Sequence, residues 1–147
     1  MIKEIFLKVL YCFIATWFFA LIMSCPKKVL FHSSFIASIG YIVYLICFNI
    51  GNIKLGFFLS TLIIVFLGEI LARFIKMPAT IFIFPAVIPI VPGLGLYQTL
   101  LAFVQDDIFG ALKIGVDTIV NIGAMAIAMT LMSLISTKIP MKNKNKH

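Results

Sequence analysis

Asp117 lies inside a long apolar segment, where a carboxylate could carry a proton or contact a polar solute. It is ~10 Å from the start of that segment if the segment is helical, and a charge at such depth costs at least ~2.5 kcal/mol. Lys113 and Asn121 lie one turn to either side, so the three form one polar stripe. Two interpretations are open: Lys113 and Asp117 neutralise each other, or Asp117 with Asn121 serves proton or ion coupling.

Glu69 is a second carboxylate within an apolar segment, followed one turn later by Arg73 and then by Lys76. All three share one helical face. A structural interpretation pairs Glu69 with Arg73 and lets the basic side chains extend to the membrane surface. A functional one makes Glu69 a proton carrier and Arg73 a ligand for a solute carboxylate, because its guanidinium binds two oxygens at once.

A third candidate site is the proline and glycine string in "PAVIPIVPGLGLYQ". Each proline inside a helix costs ~3 kcal/mol, so no regular helix keeps three of them. Broken backbone persists within hydrocarbon only when it is buried in protein or lines a watery cavity, and such interrupted segments indicate substrate sites in transporters. The string therefore predicts a substrate-binding break formed by Pro85, Pro89, Pro92, Gly93 and Gly95.

The second half of the interrupted segment is predicted to begin near Leu96 and to direct unpaired N–H groups at the break. That arrangement suits a carboxylate. Gly93 and Gly95 permit positive φ and close approach, and Tyr97 supplies a hydroxyl to the site. The alternative is a proline kink that serves packing alone, with Tyr97 as an interfacial aromatic residue.

Composition identifies the class of protein that must position these groups. Of 147 residues, 63% are hydrophobic and 12% are charged, far from the soluble balance of about half apolar and a quarter charged. The sequence therefore predicts one all-α domain, residues 1–147, built as a polytopic membrane bundle. Its five predicted spans, the fourth interrupted, are 4–24, 29–50, 55–76, 79–104 and 110–137, followed by a basic tail at 138–147.

The net charge of +7 comes from basic residues at the ends of apolar segments, which is typical of topology signals rather than of nucleic-acid binding. The positive-inside rule predicts the N-terminus outside and the C-terminus inside. Eight basic residues then face the cytoplasm, against four on the other side: Lys27, Lys28, Arg73, Lys76, Lys138, Lys142, Lys144 and Lys146, against Lys3, Lys8, Lys54 and Lys113.

Small residues crowd the last span and predict close helix packing, either within the bundle or against another subunit, a second copy included. They are Gly110, Ala111, Gly115, Gly123, Ala124, Ala126 and Ala128. Cys12, Cys25 and Cys47 form neither a CxxC pair nor a metal spacing and are interpreted as small apolar fillers. With no Ser/His, Cys/His or metal arrangement, neither catalytic residues nor a cofactor is expected.

Residues 72–97, "ARFIKMPATIFIFPAVIPIVPGLGLY", resemble the threonine/serine exporter (ThrE) family, specifically its small membrane-only half. Isoleucine at position 90, where leucine is expected, is a conservative departure. The residues that carry the resemblance are Arg73, Lys76, Pro78, Ala79, Thr80, Pro85, Pro89, Val91, Pro92, Gly93 and Tyr97.

The resemblance implies a subunit of a secondary-active exporter of small carboxylate-bearing metabolites of the threonine and serine type, coupled to an ion gradient. It also implies a location in the bacterial inner membrane and a larger partner subunit, because the family's two-chain members consist of a larger chain and a small one of about this length. Two alternatives are carried with it. One is export of dicarboxylates such as succinate, and the other is a structural membrane subunit without a solute site.

Overall fold

The computed structural model describes residues 2–138, and these fold into α-helices with no strand among them. The all-α prediction is therefore confirmed, while the predicted basic tail, apart from Lys138, lies outside the described residues. The elements are α1 (Ile2–Ile22), α2 (Lys27–Asn49), α3 (Ile53–Ile75), α4 (Thr80–Val87), a 3₁₀ turn (Ile88–Ile90), α5 (Gly93–Val104) and α6 (Ile108–Lys138).

The helix ends fall within two residues of the predicted span ends, because prolines, glycines and polar residues separate the apolar segments. Four helices, α1, α2, α3 and α6, are long and apolar enough to cross a membrane by themselves. The α4 and α5 helices qualify only as a pair, bent by 52° at the proline and glycine string. The chain is thus a multi-pass membrane protein with four or five spans.

The α3 and α6 helices run parallel, which determines how the bent pair connects them. Lys54 near the start of α3 contacts Asp117 in the first half of α6, at 3.4 Å. Glu69 near the end of α3 contacts Ser136 near the end of α6, at 3.0 Å. The α4 and α5 helices therefore return the chain to the end of the bundle where α3 begins. They cross the bundle once together instead of re-entering from one side.

The two halves of the bent pair have different surroundings. Helix α4 packs against α1, α2 and α3 and is part of the core, with Phe82 and Ala86 fully buried. Helix α5 packs against α6, and Ala102 is its buried residue. The bend therefore joins a core helix to one that lies at the margin of the bundle.

Glycines allow the central helices to approach closely, and Gly68 is one of them. A Cβ at Gly68 would lie 2.6 Å from Cγ1 of Ile83 in α4, whereas a Cβ at Gly123 in α6 would meet nothing within 4 Å. Interiors pack at crystal-like density, so an added methyl group must displace a neighbour at the first site only.

We therefore expect Gly68→Ala to be less stable than Gly123→Ala by ~1–3 kcal/mol in thermal or denaturant unfolding in detergent. Both changes gain the same ~1 kcal/mol of helix propensity, so their difference isolates the steric cost. Equal stability of the two variants would contradict the close contact of α3 with α4.

Candidate functional site

Glu69 and Arg73 belong to a hydrogen-bonded cluster that also includes Ser136 of α6. The buried Ser136 hydroxyl donates to Oε2 of Glu69 at 3.0 Å. Nη2 of Arg73 donates to both the hydroxyl and the backbone carbonyl oxygen of Ser136. The two charged residues thus share a serine 63 or more positions away in the chain. The sequence analysis missed Ser136, and its one signal was a polar residue at the end of an apolar segment.

A small cavity adjoins this cluster between α3, α4 and α6. Its volume is about 170 Å³, similar to the ~150 Å³ cavity that holds benzene in an engineered protein. Three oxygen-bearing side chains line it among apolar ones: Glu69, Thr80 and Ser133. The space accepts water or a small polar group beside the Glu69 carboxylate.

The break in the bent pair begins with Pro85, which is buried inside α4. Because proline has no N–H, the carbonyl of Ile81 loses its helical donor. The thiol of Cys25, which precedes α2, lies 3.9 Å from that carbonyl oxygen and donates to it. Burial raises the pKa of this thiol, so it keeps its proton. Cys25 packs against the hydrophobic core, as expected of an apolar filler, and it also replaces a missing backbone donor.

Pro89 lies in the 3₁₀ turn, and Pro92 precedes α5 as its N-cap residue. Helix α5 begins at Gly93, three residues before the predicted start near Leu96. The Gly93 N–H donates to the carbonyl oxygen of Val91 at 2.7 Å. By helix geometry the N–H groups of Leu94 and Gly95 have no intrahelical acceptor, so the unpaired groups at the break are fewer than predicted and lie earlier in the chain.

Gly93 and Gly95 are helical residues of α5, so the positive φ that glycine permits is not used at either position. Among the described residues, the glycine with positive φ is Gly51. Gly95 instead provides close approach, since a Cβ there would lie 2.4 Å from the Thr118 hydroxyl of α6. A Cβ at Gly93 would meet nothing within 4 Å. Tyr97, one turn on, is exposed.

Asp117 forms its ion pair with Lys54 of α3, at 3.4 Å, and not with its neighbour Lys113. Helical spacing suggested Lys113, but the parallel packing of α3 and α6 brings a residue 63 positions away closer. Both side chains are about 60% exposed in the isolated chain. The pair therefore lies on an outer surface at the end of the bundle where α3 and α6 begin.

Two buried oxygens have no hydrogen-bond partner within residues 2–138: Oδ1 of Asn121 and Oγ1 of Thr61. Asn121 was a predicted site residue, whereas Thr61 was missed, because a single threonine in an apolar segment gives no distinctive signal. A buried polar atom without a partner costs ~1–3 kcal/mol, so it is an unusual feature in a folded protein. Along the lengths of α3 and α6, both residues lie between the Lys54–Asp117 pair and the Glu69 cluster.

The residues predicted to bind substrate fall into two separate places in the structure: Arg73 lies in the Glu69 cluster, and the others lie at or near the break. Thr80, which lines the cavity beside Glu69, begins α4, and the 3₁₀ turn begins eight residues later at Ile88. Eight helical residues span ~12 Å. A small solute therefore cannot contact the Arg73 cluster and the break between Pro89 and Gly93 at the same time.

The model of the family described as "Threonine/Serine exporter, ThrE" matches residues 8–135. The chain belongs to the threonine/serine exporter family. The match includes the break, Glu69, Arg73 and the Lys54–Asp117 pair, and it ends one residue before Ser136, so the resemblance noted in residues 72–97 extends to nearly the whole chain.

An uncharacterised protein of Haemophilus influenzae is similar to this family member, with 32% identity over 94 residues. The aligned region is 63% of this chain and 31% of that protein, so the chain covers less than a third of the relative's length. No solved structure matches the chain. The family is one of exporters, which agrees with a multi-pass membrane chain of the transporter type.

Proposed function

We propose that this chain is a subunit of a secondary-active exporter of small carboxylate-bearing metabolites of the threonine and serine type. The observation that carries the proposal is the break between α4 and α5, where the chain crosses the bundle once with a 52° bend. Unpaired N–H groups at the start of α5 give that break a partial positive charge suited to a carboxylate. Membership of an exporter family supports the same conclusion.

In this proposal the solute contacts the break formed by Pro85, Pro89, Pro92, Gly93 and Gly95, with Tyr97 at its edge. Asp117, Asn121 and Glu69 carry the coupling ion, most simply a proton. Arg73 holds the Glu69 cluster together and meets the solute only after it has moved ~12 Å along α4. The solute thus encounters two polar sites in succession.

A larger partner subunit is part of the proposal. Lys54 and Asp117 are exposed in the isolated chain, and charges facing hydrocarbon are costly, so protein or water must cover them. Helix α5 packs mainly against α6 and leaves most of its surface open. A second membrane subunit over this surface would complete the solute pathway, and two copies of this chain are the alternative assembly.

The proposed location is the bacterial inner membrane, with the N-terminus outside and the C-terminus inside. Helix packing gathers five described basic residues at the end of the bundle where α3 and α6 finish: Lys27, Lys28, Arg73, Lys76 and Lys138. The positive-inside rule assigns that end to the cytoplasm. The other three residues of the predicted cytoplasmic set, Lys142, Lys144 and Lys146, lie outside the described residues.

The function is tested by efflux from cells that lack their own amino-acid exporters. The chain is expressed with the larger family member from the same genome, and intracellular threonine, serine and succinate are followed after loading. We expect efflux of threonine or serine that requires both chains, and an Asp117→Asn variant with efflux reduced about tenfold or more.

Three comparisons make the result decisive. Expression of each chain alone controls for leakage, and Lys113→Gln controls for a charge change on the same face of α6. Efflux of succinate alone would reassign the solute to the dicarboxylates. Efflux by the larger chain alone would indicate a structural subunit and contradict the proposal.

A further inference from the structure

Thr61 has a fully buried side chain whose hydroxyl oxygen has no partner within residues 2–138. Most buried threonine and serine hydroxyls of this bundle bond to a carbonyl of their own helix. Thr16 donates to Cys12, for example, and Thr118 donates to Ile114. Thr61 is therefore an exception within its own fold. A buried hydroxyl without a protein partner usually binds an ordered water molecule.

The position of Thr61 places it in the seam between α3 and α6, which we define as the facing stripes of these two parallel helices. Thr61 is seven residues after Lys54 and eight before Glu69, and both of these contact α6. Residues spaced by seven or eight lie on nearly the same helical face. Thr61 therefore shares the α6-facing stripe with the two charged residues.

Asn121 occupies the corresponding stripe of α6 from the other side. It follows Asp117 by one turn and precedes Met125, which is buried, by another. Two of the three contacts between α3 and α6, Lys54–Asp117 and Arg73–Ser136, pair residues 63 positions apart, which makes Thr61 level with Ala124. The unpartnered oxygens of Thr61 and Asn121 are then only ~4.5 Å apart along the seam axis.

The break lies at the same level. Gly68 of α3 contacts Ile83 of α4, and the two helices run antiparallel. A step of seven residues back along α3, to Thr61, therefore reaches the same depth as a step of seven residues forward from Ile83. Thr61 is thus level with Ile90, the last residue of the 3₁₀ turn. Irregular backbone and the two unpartnered side-chain oxygens therefore lie at the same depth of the bundle, with the 3₁₀ turn packed against α1 and α2. Polar groups at this depth require partners within protein or water.

We propose that Thr61 and Asn121 bind water in this seam, and that this water relays protons between Asp117 and Glu69. The relay rests on the proposed function; the water site does not. Water suits two neutral oxygens better than a metal ion, because hard cations require more oxygen ligands and a carboxylate. A carboxyl O–H of Asp117 gives its proton to the water, and the water gives a proton to the carboxylate of Glu69.

The spacing of the polar groups permits such a relay. Asp117 and Glu69 are ~22 Å apart along the axis, too far for direct transfer. Asn121 is ~6 Å from Asp117, and Thr61 is ~4.5 Å further. The cavity beside Glu69 extends to Val65, one turn or ~6 Å from Thr61. One or two water molecules bridge each of these steps, at ~2.8 Å per hydrogen bond.

The water site is tested by stability, with the purified chain and any co-purifying subunit in lipid nanodiscs. We compare Thr61→Val, which removes the hydroxyl at similar volume, with Thr61→Ser, which keeps it, and with Thr118→Val as a matched control. If water is bound, Thr61→Val lowers the unfolding midpoint by about 2–4 °C relative to the control, and Thr61→Ser does so by less. A raised unfolding midpoint in Thr61→Val would indicate that the Thr61 hydroxyl binds no water, and it would overturn the proposal.

The relay is tested in proteoliposomes with the same variants. Thr61→Val should reduce efflux driven by a pH gradient about tenfold, while threonine exchange without a gradient stays within about twofold of wild type. Thr61→Ser should restore the gradient-driven rate. Unchanged gradient-driven efflux in Thr61→Val would overturn the relay. Absence of all threonine, serine and succinate transport by the wild-type assembly would defeat the proposed function instead, and the stability comparison would still decide the water site.

Discussion

Replacing Pro89 and Pro92 together with alanine is expected to reduce solute efflux about tenfold or more while the protein remains folded. Each proline costs ~3 kcal/mol within a helix, so their removal lets α4 continue through the 3₁₀ turn into α5. The 52° bend then straightens, and the N–H groups at the start of α5 become paired. The double variant should therefore be as stable as wild type or more so, and yet lose transport.

Two measurements separate this prediction from simple damage. Spin labels at Phe84 and Leu100, both exposed, should report a longer distance in the double variant. Pro26→Ala, outside the bent pair at the start of α2, serves as the proline control and should retain efflux within about twofold. A straightened pair that still exports at the wild-type rate would remove the break from the mechanism.

Replacing Arg73 with methionine is expected to lower the free energy of unfolding by ~2–3 kcal/mol. Arg73 donates to the hydroxyl and carbonyl of Ser136, which in turn donates to Glu69. Its loss leaves the Glu69 carboxylate without the charge that balances it, in a half-buried setting. The measurement is denaturant or thermal unfolding in detergent, with Lys76→Met, an exposed neighbour, as the control that changes by less than ~0.5 kcal/mol.

A double-mutant cycle tests whether the cluster acts as a unit. Glu69→Gln in the Arg73→Met background removes the unbalanced charge, so the double variant should regain ~1–2 kcal/mol relative to the sum of the two single changes. Additive effects would indicate that Ser136 does not couple the two charged residues. The same variants should also lose efflux if the cluster lies on the solute or proton path.

The helices and the position of the break could be predicted because both depend on local chemistry. Apolar length sets each span, and Pro85, Pro89 and Pro92 interrupt the helix wherever the fold places them. The predicted start of α5 was late by three residues because Pro92 caps a helix as readily as it breaks one. Gly93 and Gly95 fit within that first turn, so their capacity for positive φ is unused.

The partners of the site residues could not be predicted, because they come from helices far apart in the chain. Asp117 pairs with Lys54, and Glu69 with Ser136, only because α3 and α6 pack in parallel. Helical spacing within one segment suggested Lys113 and Arg73 instead. Cys25 illustrates the same limit: its role depends on a carbonyl 56 residues away, which Pro85 leaves without a donor.

Accessibility of Gly93 to water and its protection by solute test the central claim most directly. A Cβ at Gly93 has open space, so Gly93→Cys is introduced after serine replaces Cys12, Cys25 and Cys47. The assembly in proteoliposomes is treated with a water-soluble maleimide, and Phe109→Cys, an exposed position at the start of α6, is the control. We expect labelling of Gly93→Cys that threonine or serine slows about threefold or more, with no such effect at Phe109→Cys. A cysteine at position 93 that is not labelled, or is labelled at the same rate with threonine, serine or succinate present, would contradict a solute site at the break.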